Sequence, residues 1–140
     1  MNQTTIFFPV VALMGWTFLV LLLVPYRRFK AGFSGQLAAE DFRCGESARV
    51  PHSVAIPNRI FMNLIEMPAL FYVLCVILFV THQVDNIFVE LGWAYFAMRI
   101  VHSLIYLTYN HVVHRFFSFA ISNLLVVAIW LRLIIVLTRQ

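Results

Sequence analysis

The chain has 140 residues, of which 62% are hydrophobic and 11% charged, with a formal net charge of +4. Soluble domains are about half apolar and about a quarter charged, so this composition excludes an ordinary soluble globular protein and makes lipid the expected solvent. The basic residues form no stripe interleaved with aromatics, which argues against a nucleic-acid partner.

The N-terminus, MNQTTIFFPV, has no basic n-region. The apolar stretch at 6–26 therefore reads as a retained helix rather than a cleaved signal. Three further apolar stretches follow, at 59–80, 87–109 and 116–137. Each is close to the ~20 residues that cross ~30 Å of hydrocarbon at ~1.5 Å per residue. The runs are continuous rather than alternating, so helices are predicted and a β-barrel is not. The expected fold is all-α: an integral membrane four-helix bundle forming one transmembrane domain over residues 1–140.

The links differ in kind. Segment 27–58 is long and polar, and carries Arg27, Arg28, Lys30, Arg43 and Arg49. Gly32, Gly35, Gly45, Pro51 and Pro57 argue against one uninterrupted helix there. Segment 81–86 is a short turn without Lys or Arg, and Asp85 and Glu90 beside it are expected to be solvated. Segment 110–115 holds His111, His114 and Arg115. The positive-inside rule puts segment 27–58 in the cytoplasm and both termini on the other side. Arg139 is the basic residue that disagrees outright. Arg132 is expected to snorkel to the outer interface.

Two cysteines, Cys44 and Cys75, have no second Cys at metal or redox spacing and read as free thiols. His111 and His114 lack a third ligand nearby, so no metal site is expected.

Polar residues within the apolar runs carry the functional signal. Arg59, Asn63 and Glu66 are spaced i, i+4, i+7 on the second run, and Arg99, His102 and Tyr106 are spaced i, i+3, i+7 on the third. Each set shares a helix face. A short turn joins the two runs, so they should be antiparallel neighbours. Counted from the cytoplasmic end, Glu66 and His102 lie about 12 Å deep and Arg99 about 16 Å. Glu66 is thus expected to neutralise Arg99 in the bundle interior. Arg59, Asn63, Tyr106 and Arg115 would converge nearer the surface as a donor-rich cavity. Pro68 should kink the second helix, because it lacks the N–H owed to Leu64. A Glu–Arg pair can also serve only to fix helix register. That role leaves His102, Asn63, Tyr106 and Arg115 unexplained, and intramembrane ionisable groups are functional candidates by default.

These residues resemble a known family. Arg99, His102, Tyr106 and Arg115 are similar to the Arg-x2-His-x3-Tyr-x8-Arg pattern of the MAPEG superfamily, membrane-associated proteins in eicosanoid and glutathione metabolism. Arg59, Asn63 and Glu66 resemble its Arg-x3-Asn-x2-Glu pattern. The resemblance implies a homotrimer with glutathione, as co-substrate, held between subunits near the cytoplasmic face. It implies that Arg59, Asn63, Glu66, Arg99, His102, Tyr106 and Arg115 are the glutathione ligands. Glutathione's carboxylates would meet Arg and its amine Glu. Arg115 would stabilise the thiolate and Tyr106 would donate a hydrogen bond; these two are the catalytic candidates. A further contact from Arg27 or Arg28 is also implied.

Two positions depart from the pattern. Met62 stands where several eukaryotic members have Arg, and Phe116 where some have Ser. The short chain resembles the bacterial branch, which implies a bacterial inner membrane, or an endoplasmic reticulum membrane for a eukaryotic source. The expected function is a glutathione-dependent transferase or peroxidase acting on lipophilic electrophiles. The alternative is a non-catalytic membrane protein of the same fold that binds another anionic or lipid ligand. An ion or proton pathway is disfavoured, because the outer halves of the second and third helices lack polar residues to complete it.

Overall fold

The structure is a computed structural model that describes residues 2–43 and 45–139. Cys44, read above as a free thiol, lies outside the described residues. Cys75 is free and buried. The described secondary structure is helical throughout. A 3-10 turn, Gln3–Ile6, leads into α1, Phe7–Phe33. After a loop containing the 3-10 turn Ala39–Phe42 come α2, His52–Glu66, and α3, Pro68–Val80. Helix α4 is Asn86–Leu107 and α5 is Val112–Thr138. Three stretches, Gln3–Phe33, His52–Val80 and Val112–Thr138, are long and apolar enough to cross a membrane. Helix α4 has 22 residues, a length of about 33 Å, but Glu90, Arg99 and His102 dilute its apolar run.

Several helix ends differ from the sequence expectation. Helix α1 does not stop at residue 26; it continues to Phe33. Arg27, Arg28 and Lys30 are good helix formers, and cations suit a helix C-terminus. The true stop is Gly35, at φ +71°. There the Gly35 N–H bonds the Gly32 carbonyl at 3.0 Å and the Gln36 N–H bonds the Ala31 carbonyl at 3.1 Å. That pattern is a Schellman cap, which needs a left-handed residue at this position.

Helix α2 likewise begins at His52 rather than 59 and carries Pro57 inside it. Proline has no N–H for the carbonyl four residues back. That carbonyl, on Ser53, accepts from Arg27 Nη1 at 3.3 Å. One cation of the expected loop therefore serves the backbone of the next helix. Segment 27–58 contracts to a loop of 34–51 between helices. The last two helices also shift, from 87–109 to Asn86–Leu107 and from 116–137 to Val112–Thr138. Asn110, at φ +48°, makes the reversal between them; Asn is among the few residues that tolerate that region.

The expected interruption at Pro68 is present: α2 ends at Glu66, Met67 intervenes, and Pro68 opens α3. At the opposite end of the bundle, the Asp85 side chain is 44% exposed, as expected of a solvated group, and is also engaged. Its Oδ1 accepts the Phe88 N–H at 3.0 Å, capping α4, and its Oδ2 pairs with Arg132 of α5. Arg132 therefore holds a partner on α4, and its guanidinium lies 4.9 Å from the Phe88 ring centre.

Helix α1 packs along α2, and α4 along α5 and against α1. Leu13, Phe71, Leu78, Phe88 and Tyr95 are fully buried between them. Outward-facing Phe8, Leu22, Leu70 and Leu124 are each more than 60% exposed. Such a surface would aggregate in water and is at no disadvantage in lipid. The α1–α4 contact is close at Gly92, where a Cβ would lie 3.0 Å from Pro9 Cγ and 3.6 Å from Phe71 Cζ. Gly92→Val should overpack this crossing, cost about 1–3 kcal/mol and lower Tm in detergent. An unchanged Tm would mean that α1 and α4 do not meet there.

Candidate functional site

The chemistry gathers at the end of the bundle where α2 begins, α4 ends and α5 begins. Arg99, on α4, is fully buried. Its Nη2 donates to the Asn63 carbonyl at 2.8 Å and to Asn63 Oδ1 at 2.5 Å. The same carbonyl accepts the Met67 N–H at 3.3 Å, a long bond beside the Pro68 interruption. It is therefore an acceptor with capacity to spare. Arg99 Nε and Nη1 are buried without a partner.

Glu66 does not take part. It is exposed and forms no ion pair among the described residues. The expected Glu66–Arg99 pair is replaced by Asn63–Arg99, and the reason is angular. At about 100° per residue, Arg59 and Glu66 lie only about 20° apart around α2, and each is rotated about 40–60° from Asn63. Asn63 sits on the inner margin of the polar stripe and reaches α4. Arg59 and Glu66 sit on its outer margin, and both are exposed.

One turn along α4 from Arg99, His102 is buried. Its Nδ1 lies 3.1 Å from the Arg115 carbonyl and 3.2 Å from Ser118 Oγ. A carbonyl can only accept, so Nδ1 carries a proton in this contact. This bond ties the end of α4 to the first turn of α5. Arg115 is thereby held with its guanidinium 3.6 Å from the Tyr106 ring centre, a cation–π contact. Its Nη1 donates to Asn110 Oδ1 at 2.6 Å. The Tyr106 and His102 rings meet edge to face at 6.3 Å.

A cavity of about 390 Å³ is lined by Arg59, Asn63, His102, Tyr106, Val112, Arg115, Phe116 and Phe119. Its volume falls in the ~300–1,000 Å³ range of small-molecule sites. Of the seven residues singled out from sequence, five line it. Arg99 lies behind Asn63, and Glu66 lies outside. Sequence reasoning missed Asn110, Ser118 and Phe119. Ser118 stands three residues after Arg115, a helical neighbour that could have been found by spacing. Asn110 carried a weaker signal, as a residue suited to a left-handed turn. The His111 and His114 rings lie 4.4 Å apart, tilted by 41°, and His114 Nδ1 lies 3.1 Å from Tyr109 Oη. Among the described residues no three His, Cys, Asp or Glu side chains cluster as a metal would require.

The sequence model of the MAPEG family matches residues 6–135. The chain belongs to the MAPEG family. That family includes glutathione transferases and peroxidases as well as non-catalytic members. No curated protein and no solved structure matches the chain significantly. The match spans nearly the whole chain, so the cavity lies within a MAPEG fold rather than in an appended segment.

The Arg99–Asn63 contact makes a stability prediction. Asn63→Leu should strand the buried guanidinium and cost about 1–3 kcal/mol. Adding Arg99→Met removes the stranded charge, so the double variant should have the higher Tm of the two. A double variant less stable than Asn63→Leu alone would show that Asn63 is not the partner that keeps Arg99 buried.

Proposed function

We propose that this MAPEG member is a membrane-bound glutathione-dependent transferase or peroxidase acting on lipophilic electrophiles. The observation that supports it best is the composition of the cavity. Arg59, Asn63, His102, Tyr106 and Arg115 supply polar groups on one side, and Val112, Phe116 and Phe119 supply an apolar wall. A peptide thiol with two carboxylates needs the first set, and an electrophile arriving from lipid needs the second. On this reading Arg59 and Asn63 bind the peptide, with His102, Tyr106 and Arg115 nearer the thiol. The Arg115 cation lowers the thiol pKa, so the proton leaves to water and the thiolate becomes the nucleophile. The sulfur then forms a bond to the electrophilic carbon, and the leaving group departs with its electron pair.

We further propose four spans, with α4 as one of them, in a single transmembrane domain that assembles as a homotrimer. Glu66 supports self-association. It is exposed on the single chain and lies mid-way along the His52–Val80 span, yet a charge facing lipid near mid-membrane costs roughly 2.5–3.5 kcal/mol. A neighbouring copy covering that face of α2 would remove the cost and bring Glu66, with Arg99 behind Asn63, toward a shared site. The Arg-rich segment after α1 is read as cytoplasmic, with both termini on the opposite side of a bacterial inner membrane, or of the endoplasmic reticulum in a eukaryote.

A second reading is a non-catalytic member that binds another anionic or lipid ligand. Met62 and Phe116 favour it, since both are exposed apolar side chains, 46% and 64% accessible, where relatives resembling this pattern carry a cation and a hydroxyl. Conjugation of glutathione to an aryl halide separates the readings. Arg115→Ala should lower kcat/KM at least about tenfold, equivalent to one unit of thiol pKa, and move the pH–rate profile to higher pH. Equal rates in the two proteins would sink the mechanism. No calorimetric response to millimolar glutathione would favour the second reading.

A further inference from the structure

Arg59, on the rim of the cavity, has a partner that belongs to neither helical motif. The loop between α1 and α2 folds back so that Glu46 Oε2 lies 4.0 Å from Arg59 Nε, while Glu46 Oε1 lies 3.7 Å from Arg28 Nη2. The Glu46 side chain is only 16% exposed. The fold of the loop accounts for its position. Asp41 Oδ2 accepts the Ala38 N–H at 3.0 Å, and Asp41 Oδ1 accepts the Ser47 hydroxyl at 2.9 Å. These two donors, the backbone one first, hold the Asp41 carboxyl below its ordinary value. The Ser47 N–H also bonds the Asp41 carbonyl at 2.9 Å, and the Val50 N–H bonds the Ser47 carbonyl at 3.1 Å. Gly45, at φ +95°, turns the chain just before Glu46. On the far side, the Arg28 guanidinium stacks 4.6 Å from the Phe42 ring centre.

The loop thus delivers one carboxylate between two arginines, one of which faces the ligand cavity. Neither contact is at hydrogen-bonding distance, and Glu46 Oε1 is buried without a hydrogen-bond partner. Glu46 is therefore held by charge and packing rather than by a fixed bond. A ligand carboxylate that makes charge-assisted, bidentate hydrogen bonds to Arg59 has the stronger claim on it.

We propose that Glu46 is an internal counter-carboxylate of the site: it pairs with Arg59 and yields that arginine to the carboxylate of an incoming thiol peptide. The proposal rests on the glutathione reading for its ligand. Arg28 keeps Glu46 paired after the exchange, so no carboxylate is stranded. The exchange also selects among anions. A simple ion offers only its charge and must compete with Glu46, whereas a peptide adds contacts at Asn63 and beyond.

The test uses the full-length protein in lipid nanodiscs, as wild type and Glu46→Gln, with hydrogen exchange and glutathione calorimetry on both. Without ligand, Glu46→Gln should speed exchange at the Ser47 and Val50 amides. It should also bind glutathione up to about fivefold more tightly, the scale expected for a partly exposed ion pair. Glutathione should speed the same amides in wild type and leave them unchanged in the variant. Unchanged exchange in ligand-free Glu46→Gln overturns the pairing of Glu46 with Arg28 and Arg59 whatever glutathione does. Equal or weaker glutathione binding by the variant, where wild type binds, overturns the competition. If neither protein binds glutathione while the variant still loosens those amides, the Glu46 pairing stands and the glutathione reading falls.

Discussion

A guanidinium buried among apolar helices must find acceptors, and Arg99 finds both of its acceptors on one residue, Asn63. The backbone oxygen it uses lies where Pro68 interrupts the α2–α3 rod, and its own helical bond to Met67 is long at 3.3 Å. The interruption and the cation fit together: one supplies a carbonyl with spare capacity, the other a donor with nowhere else to go. This contact sets the height of α4 against α2. Every other site residue on α4 is then placed by helical spacing, His102 one turn on and Tyr106 one turn further.

The second constraint is the corner between α4 and α5. Asn110 adopts the left-handed conformation there, and its side chain also accepts from Arg115. His102 then closes the corner from the α4 side by bonding the Arg115 backbone. Arg115 is therefore aimed by three separate contacts, with Asn110, with the His102 ring through its own carbonyl, and with the face of Tyr106. At the other end of the bundle, Asp85 caps α4 and binds Arg132. Helices α4 and α5 are consequently pinned at both ends by polar contacts, while the space between fills with apolar side chains.

Much of this was legible in the sequence. Continuous apolar runs predicted helices, because each backbone polar group must be satisfied within its own segment in lipid. The two polar stripes predicted which faces meet, and four of their residues share the cavity with Arg115 of α5. Two features differ from the linear pattern. Helix ends moved because stop signals at the membrane surface are local and conformational: Gly35, not the first arginine, ends α1. Glu66 stays outside because i, i+4, i+7 spacing defines a stripe about 60° wide, and only its inner edge touches the neighbouring helix. Glu46 gave no periodic signal at all, since a loop residue reaches its partner through the path of the chain.

The sequence by itself determined the solvent, the helical class, the family and the set of polar residues available for chemistry. Hydropathy and short-range spacing suffice for these, because each depends on residues within a few turns of one another. Only the tertiary structure decided which partner each charge takes. Asn63 rather than Glu66 receives Arg99, Asp85 receives Arg132, and Glu46 stands beside Arg59. These pairings join residues 13 to 47 positions apart. They are fixed by the rotation of each helix about its own axis, which packing sets and a linear pattern leaves free.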